Sequence, residues 1–163
     1  NMYRMKSSSS MDDPLCHHFN ITKDYTADDL AAFHGHLGPY IVLGYRMGRY
    51  ARDHFCDDPF SMKARVHCSG LPPESCVVDG VQLGSGCTLG KRNIEATAED
   101  GPAWGIFTAK NGRSALIRIR PEIPALVDSL IRSIGVERSG ERLLECEPAD
   151  LFTIETPSAG AKR

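Results

Sequence analysis

The sequence predicts an α+β domain: N-terminal helices including one long core helix, a small and mostly antiparallel sheet, and a packed C-terminal helix. Three observations predict it. Behind Pro39, the residues Tyr40, Leu43, Met47, Ala51 and Phe55 recur at helical spacing and form one apolar stripe. Two β-like runs, Trp104–Ala109 and Ser114–Arg120, flank Lys110-Asn111-Gly112-Arg113, and Asn-Gly is the strongest short hairpin signal. Ile123, Leu126, Val127, Leu130, Ile131 and Ile134 then make a second helical stripe, with Gly135 where a C-cap glycine belongs. Helices first, a central hairpin and a helix afterwards fit α+β layering.

In chain order, residues 1–23 are expected to form a flexible arm, since Met5 to Pro14 holds a four-serine run and two aspartates. The domain is expected over residues 24–155, and 156–163 reads as a polar tail. Thr26 can cap a short helix running through Asp28, Asp29, Leu30, Ala31 and Ala32. Pro39 suits the first position of the long helix, where its missing N–H costs nothing. Gly44 and Gly48 share a face of that helix and permit the close approach of another backbone. A strand is expected at Met62–Cys68, a short helix near Glu141 to Glu145, and an edge strand at Leu151 to Ile154.

Composition narrows the function classes. The 163 residues are 41% hydrophobic and 25% charged, ordinary for one globular domain. Nineteen Lys and Arg against 21 Asp and Glu leave a net charge of −2, so no global field favours nucleic acid or an anionic membrane. No apolar run approaches the roughly 20 residues that span a bilayer, and the first residues lack the apolar core of an export signal. A cytoplasmic protein is expected. Its six cysteines, Cys16, Cys56, Cys68, Cys76, Cys87 and Cys146, then read as thiols or metal ligands rather than a disulfide framework.

Two blocks concentrate residues with chemistry. The first is Phe33-His34-Gly35-His36-Leu37-Gly38-Pro39, directly before the long helix. Imidazoles two residues apart in such a turn can serve zinc, nickel or iron, or can simply cap the helix and face water. The second runs from Cys76-Val77-Val78-Asp79-Gly80-Val81-Gln82 to Gly86-Cys87-Thr88-Leu89-Gly90-Lys91-Arg92-Asn93. Its glycines suggest a tight loop with exposed amides around Cys87, where a low-pKa thiolate could be a ligand or nucleophile. Gly84 to Lys91 is one residue too long for a phosphate-binding P-loop, and Leu89 breaks a dinucleotide fingerprint. No Cys-x-x-Cys occurs.

Together the blocks resemble the FmdE family, which takes its name from a component of formylmethanofuran dehydrogenase. Its pattern FHGHxCPG, followed by GYR, stands here as Phe33 to Pro39 with Gly44-Tyr45-Arg46. Its CAVDAIQ and GCTxGKGN stand as Cys76 to Gln82 and Gly86 to Asn93. The resemblance implies an α+β domain that binds a transition metal, usually zinc, and often pairs into a homodimer. By position it makes His34, His36, Cys76 and Cys87 the candidate ligands. Should the metal be catalytic, it would hold water or a small anionic ligand, with Asp79 and Lys91 the candidates for proton transfer and anion binding. The alternatives are a closed structural site in an assembly module, or a metal-free hydrolase with Cys87 as nucleophile and His34 or His36 as base. Gly38 stands where many members carry cysteine, and the cysteine-rich ribbon that longer members append does not follow. A homodimer would set the helix from Pro39 to Phe55 near its interface, with Gly44 and Gly48 as the groove and Tyr40 and Met47 as contacts.

Overall fold

The structure, a computed structural model, describes residues 24–156. The expected arm, most of the expected tail and Cys16 lie outside the described residues. Among the described residues, six helices and five strands follow in the order α1 (Ala27–His34), α2 (Pro39–His54), β1 (Met62–Cys68), α3 (Val77–Ser85), β2 (Ile94–Ala98), β3 (Trp104–Ala109), β4 (Ser114–Ile119), α4 (Ile123–Ile134), α5 (Val136–Glu145), α6 (Pro148–Leu151) and β5 (Phe152–Glu155). The α+β expectation holds.

Each predicted signal has a physical counterpart. Thr26 accepts from Asp29 N–H while the Asp29 carboxylate accepts from Thr26 N–H, a reciprocal cap at the start of α1. The first two turns of helix α2, Pro39 through Tyr45, are buried on every side, as suits the central helix of a core, and its charged residues Arg46, Arg49, Arg52 and Asp53 come after them. Strand β1 alternates buried and exposed side chains, so one face of the sheet meets the helices and the other faces out. Met47 Sδ sits over Gly105 and joins α2 to β3. On the outer face the His67 ring stacks on Trp104 at 3.8 Å, and Arg118 lies 4.7 Å from the same ring.

The sheet order is β2-β1-β3-β4-β5. Three of its pairings are antiparallel, and β1 with β2 is parallel. The hairpin forms where Asn111-Gly112 predicted it, with Ala109 N–H bonded to the Arg113 carbonyl at 2.9 Å. Gly112 takes a positive φ of 83° but Asn111 does not, so the turn is a longer loop closed by a left-handed glycine rather than a two-residue one.

Two elements depart from the sequence reading. Helix α3 stands where no element was expected, ahead of the loop that does hold Cys87, and Ile94–Ala98 adds a strand. Parallel neighbours need a crossover, and α3 supplies it between β1 and β2.

Helix α3 also explains the glycines of α2. A Cβ on Gly44 would overlap the Val77 carbonyl, and on Gly48 it would stand 2.7 Å from Ser85 N. In return, a Cβ on Gly80 would overlap the Ile41 carbonyl and one on Gly84 the Tyr45 carbonyl. Four glycines thus interlock two backbones within one chain. This corrects the expected dimer face: the glycine row is covered by α3, and Tyr40 and Met47 are buried in the core. A second copy would have to use another surface.

Overpacking a core by a methyl costs about 1–3 kcal/mol, and here the neighbour is backbone that cannot swing away. Gly44→Ala and Gly80→Ala should each cost at least the upper end of that range in stability, or prevent folding. Gly90→Ala, whose Cβ meets nothing within 4 Å, should change stability by less than about 0.5 kcal/mol. Thermal unfolding of the three variants checks this; a Gly44→Ala protein as stable as the parent contradicts the interlock.

Candidate functional site

Residue numbers rise together across the interlock, from Gly44 with Val77 to Gly48 with Val81 and Ser85, so α2 and α3 run parallel. Their N-termini therefore lie side by side. The N-cap residues are Gly38 and Cys76, and neither side chain caps its helix. Two positive dipole ends meet at one place, although a 3-10 turn over Glu74–Cys76 runs into α3 and already takes up the Cys76 and Val77 N–H groups.

Helix α1 delivers the histidines to that place. It ends at Gly35, whose φ of 104° turns the chain while its N–H bonds the Ala31 carbonyl at 2.7 Å. His34 then reaches the first turn of α3, where Nδ1 lies 2.6 Å from Asp79 Oδ2. His34 is the more enclosed partner, at 12% exposure against 39% for the carboxylate. The His36 ring lies 5.1 Å from that of His34. Cys76 is partly buried; burial first, and then the Asp79 charge, raise its thiol above the usual value.

Gly38 is closely approached here. A Cβ at this position would sit 3.2 Å from His36 Nε2 and 3.5 Å from Val136 Cγ1. The cysteine that the FmdE pattern places at this position would therefore project beside His36. A cavity of about 230 Å³ lies along the same helix starts, lined by Tyr40, Glu74, Pro102, Ala103, Ile119 and Pro124. Burial, with Glu74 and Asp128 adding to it, raises the Tyr40 phenol, so this wall offers a donor.

The remaining candidates lie at the other end of α3. Cys87 is fully buried and donates Sγ–H to the Met62 carbonyl at 3.4 Å. Burial pushes its thiol up to about 11, against the lowering pull of Ser85 and Lys91. It is a packed thiol, where the sequence suggested a low-pKa thiolate. The nine residues of α3 separate Cys76 from Cys87 by about 13 Å of helix. One zinc ion with bonds of about 2.3 Å to sulfur cannot hold both. The same separation and burial remove the partner that the hydrolase reading needed for His34 or His36. Lys91 also belongs to this far end, donating from Nζ to Thr88 Oγ1 at 2.9 Å, so it does not share a site with Asp79. Among the described residues, no three His, Cys, Asp or Glu side chains already converge on a metal position.

Several motif residues do structural work that the sequence reading missed. Arg46 donates to the carbonyls of Leu143, Leu144 and Cys146 and so caps the end of α5. The Tyr45 hydroxyl accepts the Tyr25 N–H at 3.1 Å. Gln82 Oε1 accepts from Leu89 N–H, and Asn93 Oδ1 from Thr88 N–H. Asn93 Nδ2 donates to the Pro59 and Met62 carbonyls. The loop amides expected to be exposed are thus largely satisfied within the loop. A polar residue following a glycine-rich stretch was the available signal for such a clamp.

Thiol chemistry reports this division. Brief alkylation of the folded protein should modify Cys76 well before Cys87, and unfolding should remove the difference. Peptide mass spectrometry reads it; equal native rates at the two cysteines contradict the placement of Cys87.

A probable S-adenosyl-L-methionine-binding protein from Archaeoglobus fulgidus is 35% identical over 69 residues, covering 38% of this chain. The chain spans 18% of the length of that curated relative. A broader match runs over residues 33–153, to the FmdE family of the molybdenum formylmethanofuran dehydrogenase operon. That span carries both motif blocks, the interlocked helices and the sheet they pack on, so the chain belongs to the FmdE family.

Proposed function

We propose that the chain is a cytoplasmic accessory protein that binds a transition metal, zinc above all, at the paired starts of α2 and α3. The His34–Asp79 bond carries this reading. An ionised carboxylate can only accept, so Nδ1 of a neutral His34 keeps its proton and Nε2 keeps its lone pair. A carboxylate behind an imidazole is the usual support of a metal-ligating histidine. His36 and Cys76 are the other donors at this end, and two imidazoles with one thiol suit zinc. The five described cysteines are all free thiols, which fits a reducing compartment.

The donor set also favours an open position over a closed structural site. A closed site needs four protein ligands. This end offers three, and glycine replaces the cysteine that the FmdE pattern adds. Bound there, zinc would supply Lewis acidity. The chain's own groups would orient His34 through Asp79, and the two helix starts would favour a small anion beside it. Cys87 and Lys91 take no part.

Protein equilibrated with zinc should hold about one ion per chain. His34→Ala and Cys76→Ala should each abolish this, Asp79→Asn should weaken it about 10–100-fold, and Cys87→Ala should leave it intact. Gly38→Cys should tighten it by adding a fourth donor. A chelator should remove the ion without melting the fold, as for a site that is not structural. Elemental analysis with competition titrations decides the matter; full zinc retention in both His34→Ala and Cys76→Ala ends the proposal.

A further inference from the structure

A cleft of about 540 Å³ opens beyond the far end of α3, between the start of β1, the 86–93 loop and the β3–β4 hairpin. Four cationic residues, Lys63, Lys91, Arg92 and Lys110, line it together with Asn93 and Phe60, and among the described residues no carboxylate does. Arg92 and Lys63 also line an adjoining cleft of about 300 Å³. The nearby acids already have partners, and Glu95, which lines the adjoining cleft, is one of them. Glu95 accepts from Arg65 at 3.2 Å, and Asp58 accepts from Phe60 N–H at 2.9 Å and Ser61 Oγ at 2.7 Å.

Arg92 is the telling residue. Its φ of 58° makes it the one non-glycine in the left-handed region among the described residues. The FmdE pattern GCTxGKGN has glycine at this position, the residue for which that conformation is free of strain. This chain instead holds an arginine there, and the Arg92 side chain makes no hydrogen bond or ion pair among the described residues, nor does that of Lys63. Lys91 is held in place by Thr88 Oγ1 and lies 5.7 Å from the centre of the exposed Phe60 ring. A strained backbone carrying an unpaired cation into a cleft without acids is arranged for an anion.

We propose that this cleft binds a small molecule through a phosphate or diphosphate group, with Arg92 and Lys63 as the principal contacts and Lys91 beside them. The loop amides are taken up by Asn93, Gln82 and Thr88, so side chains rather than a backbone cradle would hold the ligand. Arginine suits this because its planar fork meets two phosphate oxygens at once. The volume exceeds what inorganic phosphate fills and falls in the range of small-molecule sites. A long polyanion is disfavoured: the net charge is −2, and the exposed carboxylate of Glu95 lines the adjoining cleft. The site stands apart from the metal proposal, since α3 lies between them.

Calorimetric titration with pyrophosphate, on protein kept in chelator so that no metal contributes, tests this. The parent should bind saturably with one site per chain, more tightly than it binds inorganic phosphate. Arg92→Gly should weaken binding at least about tenfold, the loss of one charge-assisted contact. Its melting temperature should hold or rise, because glycine fits the left-handed position. Lys63→Met should also weaken binding. Three results would overturn the proposal: no saturation up to about 10 mM pyrophosphate, Arg92→Gly binding as tightly as the parent, or a single-stranded oligoribonucleotide binding more tightly than pyrophosphate through Arg92.

Discussion

Backbone contact between α2 and α3 is the constraint on which the rest of the molecule depends. Any side chain at Gly44, Gly48, Gly80 or Gly84 would push the helices toward the roughly 8–10 Å separation of ordinary pairs. The contact fixes more than a distance. It sets the helices parallel, so the turn before α2 and the turn before α3 emerge together. His34 reaches Asp79 across that junction, although 45 residues separate them in sequence. The same helix is the crossover that places β2 beside β1, so site and sheet share one support.

The interlock also explains what could be read from sequence and what could not. Helix α2 was legible because its apolar residues repeat at helical spacing, and β3 and β4 because a turn signal divides two β-like runs. Helix α3 was not, since Val77, Val78, Gly80, Val81 and Gly84 are all weak helix formers. Its helicity comes from packing against α2, a tertiary effect that local propensity does not register. Strand β2 escaped because only Ile94 of its five residues is buried, so it lacks the alternation that marks a half-buried strand. Without α3, the backbone that Gly44 and Gly48 actually meet was not legible.

The candidate site was legible in its chemistry but not in its division. Cys76 and Cys87 are equivalent letters in a motif, and only the helix between them assigns opposite roles. Cys76 heads α3 near Asp79, partly open. Cys87 follows the helix end, packed beneath the Met62 carbonyl with a thiol that stays protonated at neutral pH. Asn93, Gln82 and Thr88 complete that contrast. They satisfy the amides of their own loop and tie it to β1, which makes the second half of the motif a clamp.

The chain departs from the FmdE pattern at both ends of α3, and the departures have opposite chemical character. At the near end Gly38 replaces the thiol of the pattern, and the His36 ring lies close against the position. At the far end Arg92 adds a cation where glycine would have been unstrained, at a cost of about 1–2 kcal/mol for a left-handed L-residue. Neither change disturbs the interlock, because neither position belongs to its glycine row. A fold held by backbone contact in its middle can vary its ends independently. Donor loss at one mouth and charge gain at the other are thus separable changes on one rigid helix pair, and the fold is indifferent to both.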